Sequence, residues 1–259
     1  MNLLEEIAEN SKKRVCERFD EKYETWVGQH LKAAMYRKCL DFPDKKNAII
    51  AEVKIASPAM PPQDINPARL AQKYMNAGAS AISVVTEPDY FHGSLEILHN
   101  IRNISNIPLL QKDFVVDTRQ ILEGRVMGAD GILLIASLRG KHLKNSLKLV
   151  DELGMWAVVE TRTESEIKEA VKAGARIIGI NNRNFKTMKT DIKTSVKLSA
   201  FVPKNVKLVC ESGIQGAGDI EYLNGKCKRA PDAFLVGTAL VQAENAQELL
   251  RSLCPATTG

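Results

Sequence analysis

The chain alternates between strand-like and helix-like segments, and this repeat constrains the fold more than any other feature. Eight short apolar, mostly β-branched runs start at intervals of roughly 20 to 35 residues, which fits a strand, a helix and two loops. An amphipathic stretch follows each run. The runs are residues 48–51, 81–85, 107–110, 131–135, 156–159, 177–180, 206–209 and 233–236. The stretches are residues 67–77, 94–103, 118–127, 141–153, 164–173, 194–200, 218–223 and 243–253.

Three of the predicted helices lead into the next strand through the same kind of junction. Gly78, Gly128 and Gly174 each stand just past a helix end and are followed by alanine. Glycine is favoured there because it enters the left-handed region without a Cβ penalty. Eight such units predict an α/β fold, a closed (β/α)8 TIM barrel. An open doubly wound sheet is the alternative, but no GxGxxG motif follows the first run, so dinucleotide binding lacks support.

Residues 1–46 precede the repeat and contain no β-rich run. We expect an N-terminal helical extension that covers apolar surface and does nothing more. Its apolar residues with helix-like spacing are Leu3, Leu4, Ile7, Val15 and Phe19. No linker rich in Gly, Ser or Pro divides the rest of the chain, and barrels often reach this length, so we expect residues 1–259 to form a single domain.

Composition narrows the possible functions. The net charge of +5 is mild and the basic residues are scattered, so no nucleic-acid partner is expected. The five cysteines contain no CxxC pair, and the four histidines do not join them at zinc-ligand spacing, which indicates free thiols and no metal site. The N-terminus lacks an apolar signal core, and no stretch approaches the roughly 18 apolar residues of a membrane span. The sequence therefore predicts a cytoplasmic protein with no membrane partner.

Charged residues stand directly at the ends of alternate runs. Glu52 and Lys54 follow the first run, and the two-residue period of a strand puts them on one face. Such charges are costly in a barrel interior unless they are paired or used, and the alternative is that both lie past the strand end in solvent. Lys112, Glu160 and Glu211 end the third, fifth and seventh runs. Because barrel interiors layer side chains from alternate strands, these groups are expected to converge on one pocket suited to acid–base chemistry on an anionic substrate.

Small residues follow the last two runs. Ser212 and Gly213 come after the seventh run, and Gly237 and Thr238 come after the eighth. Barrels often bind a phosphate at this position, where small residues let backbone N–H groups approach the anion. The alternative is that the two glycines only form tight turns.

Eight fragments, in this order and spacing, resemble the indole-3-glycerol phosphate synthase family over nearly the whole chain. They are residues 50–58 (IAEVKIASP), 86–94 (TEPDYFHGS), 109–117 (LLQKDFVVD), 128–135 (GADGILLI), 158–161 (VVET), 179–185 (GINNRNF), 210–214 (CESGI) and 234–240 (FLVGTAL). The resemblance implies a (β/α)8 barrel that is preceded in the sequence by an N-terminal helical extension. It also implies ring closure of 1-(2-carboxyphenylamino)-1-deoxyribulose 5-phosphate to indole-3-glycerol phosphate, with loss of CO2 and water, in tryptophan biosynthesis. This reaction needs no cofactor or metal, and other tryptophan-pathway enzymes are conceivable partners.

The resemblance also implies roles for individual residues. Lys112 resembles the general acid that protonates the ribulose carbonyl oxygen, and Glu160 the acid/base partner in the later dehydration. Glu52 is similar to a glutamate that places charge at the reacting centre, and Lys54 to a lysine that reaches the phosphate and in some proposals transfers a proton. The division of acid and base roles stays open. The implied binding residues are Asn181, Arg183 and Glu211 in a polar network, Ser57 and Pro58 near the substrate carboxylate, Phe91, Phe114, Leu133 and Leu235 around the aromatic ring, and Ser212, Gly213, Gly237 and Thr238 around the phosphate.

Two positions depart from the family pattern. Residues 59–62 read Ala-Met-Pro-Pro where the family usually has a small polar residue, a lysine and a glycine, so loop closure is expected to differ. Phe185 replaces a residue that is usually aliphatic and is expected to tighten the ring pocket. There are two alternative functions. A phosphoribosylanthranilate isomerase typically has a cysteine after the first strand and an aspartate at the sixth, where this chain has Glu52 with Lys54 and Asn181. A non-catalytic phosphate-binding barrel would be expected to lose Lys112 or Glu160, and both are present.

Overall fold

The computed structural model describes residues 2–254 and shows a closed barrel of eight parallel strands in sequence order. The first strand closes the barrel on the last, with Ile50 opposite Leu235. The predicted TIM barrel is therefore confirmed. The strands are β1 (Ala48–Val53), β2 (Ala81–Val85), β3 (Leu109–Lys112), β4 (Gly131–Ile135), β5 (Trp156–Thr161), β6 (Ile177–Asn181), β7 (Lys207–Glu211) and β8 (Ala233–Val236).

Helices surround this sheet and precede it. The helices are α1 (Leu3–Arg18), α2 (Glu21–Tyr36), α3 (Pro67–Asn76), α4 (Leu95–Arg102), α5 (Arg119–Val126), α6 (Ala136–Arg139), α7 (Leu143–Glu152), α8 (Glu164–Ala173), α9 (Lys193–Leu198), α10 (Ala217–Lys226), α11 (Thr238–Gln242) and α12 (Ala246–Leu253), with 3-10 turns at Gly140–His142 and Ser199–Phe201. The predicted junction glycines all adopt the left-handed conformation, since Gly78, Gly128 and Gly174 have φ of 96°, 102° and 99°.

The bounds of most elements shift by one to three residues from the sequence prediction, and three differences have a local cause. The third strand begins at Leu109 rather than at residue 107, because Pro108 has no N–H to donate to a ladder and only its carbonyl accepts, from the N–H of Ile82 at 2.9 Å. The short helices α6 and α11 were not expected. Both follow a strand almost directly and are only four and five residues long, too short to show a helical hydrophobic period in the sequence.

The strands alternate between the helix layer and the barrel interior. In β1, Ile49, Ala51 and Val53 pack in the large cluster beneath the helices, whereas Ile50 belongs to the separate cluster inside the barrel. The two-residue period therefore points Glu52 inward, above Ile50 and toward the carboxyl end of the barrel. This local rule is what brings the charged strand ends together.

Helix α1 packs on the barrel near the carboxyl ends of the strands and makes polar contacts as well as apolar ones. Ile7 is fully buried in the interior cluster. The Ser11 hydroxyl donates to the carbonyl of Phe114 at 3.0 Å, and Arg14 pairs with the buried Glu87 at 3.2 Å. The expectation that the extension only covers apolar surface is wrong, because α1 also holds the loops after β2 and β3.

The opposite end of the barrel is fixed by one buried carboxylate, that of Asp130 before β4. Its Oδ1 accepts from Arg37 Nη1 at 2.6 Å and from the Leu40 N–H at 3.0 Å. Its Oδ2 accepts from Arg102 Nη1 at 2.7 Å and from the Leu109 N–H at 2.9 Å. This carboxylate therefore ties the N-terminal extension, α4 and β3 together.

We expect the substitution Asp130→Ala to lower the free energy of unfolding by about 3–5 kcal/mol, since it leaves two arginines and two backbone N–H groups without their acceptor. Denaturant titration of both proteins measures this difference. Asp151→Ala is the control, because its ion pair with Arg176 is exposed and should contribute less than about 1 kcal/mol. Equal effects of the two substitutions would contradict the structural role of Asp130.

Candidate active site

Four ionisable side chains from alternate strands meet inside the carboxyl end of the barrel. They are Glu52 of β1, Lys112 of β3, Glu160 of β5 and Glu211 of β7. Glu52, Glu160 and Glu211 are at most 4% exposed, and the Lys112 side chain is 19% exposed. We call this set the charged ring. The four strand ends lie at the same end of the barrel, but only Glu52 and Lys112 line the same cavity, so the predicted single pocket is divided.

Glu52 joins two lysines. Its Oε1 lies 2.8 Å from Lys54 Nζ, and its Oε2 lies 3.7 Å from Lys112 Nζ. Lys54 Nζ also donates to Thr238 Oγ1 at 3.0 Å. The alternative that Glu52 and Lys54 lie in solvent is therefore wrong. Burial alone raises the pKa of Glu52, but the two lysine charges outweigh it and lower that pKa to about 2, so Glu52 is ionised.

The remaining members of the ring hold protons more readily than in water. Burial alone lowers the pKa of Lys112, but the neighbouring carboxylates, chiefly Glu52, outweigh it and raise that pKa above its ordinary value. Burial raises the pKa of Glu160, and Lys112 only partly offsets this. Burial and the charge of Glu160 raise the pKa of Glu211 well above its ordinary value. Lys112 is thus a cation beside carboxyl groups of unequal acidity, the arrangement that proton transfer requires.

Several oxygens of the ring have no hydrogen-bond partner within residues 2–254. They are Oε2 of Glu160 and both carboxylate oxygens of Glu211. Buried polar groups are normally satisfied, so unpaired carboxylate oxygens at a barrel mouth indicate a place for a polar ligand.

Two glycines make room for this ring. A Cβ on Gly237 would overlap Oε1 of Glu52, and a Cβ on Gly179 would overlap Oε1 of Glu211. Gly237 has a φ of −128°, which other residues also adopt. Glycine is therefore needed at this position because a side chain would not fit, and not because of its backbone conformation. The sequence suggested that Gly237 forms a tight turn or faces a phosphate. The structure shows in addition that Gly237 makes room for the Glu52 carboxylate.

We expect Gly237→Ala to lower kcat/KM about 100-fold, because the added methyl group displaces the Glu52 carboxylate from both lysines and such misplacement is costly at a reacting centre. The assay is turnover of the substrate proposed below. Gly218→Ala is the matched control, since a Cβ on Gly218 meets no atom within 4 Å. Full activity in Gly237→Ala would show that the position of Glu52 is unimportant.

Most of the predicted site residues line one cavity of about 130 Å³, which we call the central cavity. The predicted residues that line it are Glu52, Lys54, Ser57, Pro58, Phe91, Lys112, Asn181, Arg183, Ser212, Gly213, Leu235, Gly237 and Thr238. Three of the four residues predicted as catalytic (Glu52, Lys54 and Lys112) therefore share one space with all of those predicted to bind phosphate.

Four predicted residues lie outside the lining of this cavity. Phe114 is 6% exposed and packs against Phe91, with ring centroids 5.9 Å apart. Leu133 and Glu211 are each only 1% exposed. Glu160 lines a second, larger cavity of about 520 Å³, which we call the side cavity. The side cavity lies between α1 and the loops after β4, β5 and β6, where Leu4, Leu138 and Arg162 also line it.

Buried polar groups position the loops that carry these residues. Glu87 accepts the backbone N–H groups of Tyr90 at 2.8 Å and Phe91 at 3.1 Å, which places Phe91 at the cavity. Asn181 Oδ1 accepts the N–H of Arg183 at 2.9 Å. Ser212 has a φ of 68°, and a non-glycine residue in the left-handed region is strained in a way that often marks functional sites.

The unusual loop at residues 59–62 closes on itself. Ser57 and Met60 exchange backbone hydrogen bonds in both directions, each at 2.9 Å. Met60 is 2% exposed, and the N–H of Gln63 donates to the carbonyl of Ile55 at 2.9 Å. The two prolines therefore follow a closed turn whose buried methionine anchors the loop beside Ser57.

Some residues of the site were not found from the sequence. Met188, Thr190 and Gln215 line the central cavity, and Arg162 lines the side cavity. Arg162 stands two residues after Glu160, so the strand-end rule could have included it. Met188 has a φ of 56°, and its placement depends on a loop conformation that no sequence pattern indicates.

Two classes of feature are missing from residues 2–254. No group of three or more His, Cys, Asp or Glu side chains in that range is arranged to hold a metal ion. Nor does any helix there combine the length and apolar character that crossing a membrane requires.

Comparison with known proteins agrees with this geometry. A family model described as indole-3-glycerol phosphate synthase matches residues 3–253. The chain belongs to that family. The predicted enzyme class of the indole-3-glycerol phosphate synthases, a carboxy-lyase of tryptophan biosynthesis, is thereby confirmed.

Individual relatives extend over most of the chain. The indole-3-glycerol phosphate synthase of Sulfurimonas denitrificans is 39% identical over 260 residues, covering 97% of this chain and 98% of its own. That of Chlorobium chlorochromatii is 39% identical and covers 91% of this chain and 90% of its own. That of Endomicrobium trichonymphae is 44% identical and covers 79% of each.

Solved structures of other proteins share the fold alone. KGPDC from Streptococcus mutans has a TM-score of 0.62 at 14% identity, covering 81% of this chain and 96% of that chain. Thiamine phosphate pyrophosphorylase from Pyrococcus furiosus has a TM-score of 0.61 at 14% identity, covering 82% of this chain and 96% of that chain.

Proposed function

We propose that this chain closes the ring of 1-(2-carboxyphenylamino)-1-deoxyribulose 5-phosphate to give indole-3-glycerol phosphate, CO2 and water. The observation that carries the proposal is Lys112, a partly buried cation beside three glutamates, in a chain of the indole-3-glycerol phosphate synthase family. No oxidation or reduction occurs in this conversion. The substrate carboxylate leaves as CO2, so each turnover takes up one proton from solvent, and the site must transfer protons.

Lys112 is proposed as the general acid. The ring carbon that bears the carboxylate attacks the ribulose carbonyl carbon, and Lys112 gives a proton to the carbonyl oxygen as it becomes a hydroxyl. The raised pKa of Lys112 keeps this proton in place at neutral pH, and the positive charge stabilises the developing alkoxide. Glu52 contributes by holding Lys112 and Lys54 on the same side of the cavity.

Glu160 is proposed as the base of the dehydration. After CO2 has left and the ring is aromatic again, Lys112, reprotonated from solvent, gives a proton to the hydroxyl, which departs as water. Glu160 removes a proton from the ring CH2 carbon next to the nitrogen, and the C–H electron pair becomes the new carbon–carbon double bond of the indole. Its Oε2 is free to accept that proton. The pKa of Glu160, raised by burial, makes the carboxylate a stronger base than an ordinary glutamate.

The phosphate is proposed to bind at the loops after β7 and β8. Ser212, Gly213 and Thr238 line the central cavity there, and Lys54 Nζ lies 3.0 Å from Thr238 Oγ1. The aromatic part is proposed to lie toward Phe91 and Phe114, where burial from water favours loss of CO2 because the negative charge is dispersed in the transition state.

We also propose that the chain works as one domain, with residues 1–46 as its extension. The hydrogen bond from Ser11 to the Phe114 carbonyl and the ion pair from Arg14 to Glu87 support this, since both tie α1 to loops of the site.

The test is indole fluorescence on mixing the purified protein with the carboxyphenylamino-deoxyribulose phosphate, without added metal or nucleotide. We expect the indole-3-glycerol phosphate signal to rise. Tight substrate binding without product would overturn the proposal and favour a phosphate-binding barrel.

A further inference from the structure

Two proposed catalytic residues open onto different cavities. Lys112 lines the central cavity together with Glu52 and Lys54. Glu160 lines the side cavity, and its Oε2 is buried without a partner among residues 2–254. Both residues must reach the same substrate if the function proposed above is correct, so the two cavities must join when the substrate binds.

One side chain stands between the cavities. Of the residues that the structure describes, only Phe185 lines both, which places it at the border between them. Its ring packs edge-on against Phe114, with centroids 6.1 Å apart and planes at 70°. We infer that Phe185 is a partition that must move aside to admit the aromatic ring of the substrate, and that it thereby sets the largest aromatic ring the enzyme accepts.

The cavity volumes support this inference. Pockets for small molecules usually span roughly 300–1,000 Å³, and the central cavity has only about 130 Å³. It has room for the phosphate end of the substrate beside Ser212 and Thr238. The side cavity has about 520 Å³, and the two joined fall within the usual range.

The loop that carries Phe185 is held by backbone hydrogen bonds that do not involve the Phe185 ring. The N–H of Asn184 donates to the carbonyl of Lys189 at 2.8 Å, and the N–H of Met188 donates to the carbonyl of Asn184 at 2.6 Å. Arg183 and Thr190 close the base of this loop as an antiparallel pair. The turn is thus held by the residues around Phe185. The half-buried Phe185 ring can leave Phe114 without breaking these bonds.

The experiment compares two substrates, the natural one and an analogue in which a carboxynaphthyl group replaces the carboxyphenyl group. We expect Phe185→Leu to raise the ratio of kcat/KM for the larger over the smaller substrate at least 10-fold, and Phe185→Trp to lower kcat/KM for the natural substrate at least 10-fold. Competitive inhibition by inorganic phosphate should stay unchanged in both variants, because the proposed phosphate contacts come from Lys54, Ser212 and Thr238 and not from Phe185. Phe201→Leu, at an exposed phenylalanine outside both cavities, is the control.

The outcomes separate this inference from the proposed function. If Phe185→Leu has the same ratio of kcat/KM for the larger over the smaller substrate as the wild type, and still forms the natural product, the inference about Phe185 is wrong and the proposed function stands. A wild-type chain that forms no product overturns the proposed function, and the partition is then tested by binding of indole-3-glycerol phosphate. Phe185→Leu should tighten that binding at least 5-fold, and equal affinity in the variant and the wild type would rule the partition out.

Discussion

Replacing Lys112 by alanine should abolish ring closure while leaving substrate binding measurable. Lys112 is the member of the charged ring that carries a proton to the carbonyl oxygen, and removal of a general acid typically costs about 10²–10⁴-fold in rate. The loss should lie at the upper end of that range, because the variant also loses the positive charge beside the developing alkoxide. The phosphate contacts do not involve Lys112, so calorimetric titration of the variant with substrate should still detect binding.

Two comparisons make the result specific. Lys144→Ala removes an exposed lysine from the outer helix α7 and should change neither turnover nor binding. Lys112→Met keeps much of the side-chain volume without the charge and should be as inactive as the alanine variant. Near-normal turnover in Lys112→Ala would end the assignment of Lys112 as general acid.

The barrel could be predicted because its signals are local. A two-residue period, an apolar run and a glycine past a helix end each depend on a few neighbouring residues, and eight repetitions leave little choice of topology. The charged ring follows from the same rules, since the period points Glu52 inward and alternate strands share a layer. The helices α6 and α11 have only four and five residues, and so short a segment shows no helical period that a sequence could reveal.

The details of the site could not be predicted because they depend on contacts between distant segments. The contact of Gly237 with Glu52 joins β8 to β1, and the partition at Phe185 depends on the fold of the loop after β6. The sequence predicted one pocket for Lys112 and Glu160, whereas they line two cavities that have only Phe185 in common among residues 2–254. Phe185 was recognised as unusual from the sequence, but only its place between the cavities gives it a specific role.

Glu160→Gln should lower kcat about 10²–10⁴-fold, since the amide keeps the shape of the side chain but cannot accept a proton. The pH–rate profile is the more decisive measurement. A carboxylate that must accept a proton works only when deprotonated, so turnover falls as pH drops through its pKa. Burial raises the pKa of Glu160, and the acid limb of the wild-type profile should therefore lie above the ordinary range of a glutamate. The residual activity of Glu160→Gln should lack this limb.

Glu123→Gln supplies the matched control, because Glu123 is a second buried glutamate whose pKa is raised by burial and which lines neither the central nor the side cavity. It accepts from Arg18 Nη2 at 2.6 Å and from the Tyr23 hydroxyl at 2.7 Å, so its variant should lose stability but keep the acid limb. Loss of the limb in both variants would mean that the limb reports unfolding at low pH rather than proton transfer. If the acid limb of the pH–rate profile is unchanged in Glu160→Gln, Glu160 is not the base, and the proton transfers must be assigned to Lys54 and Lys112.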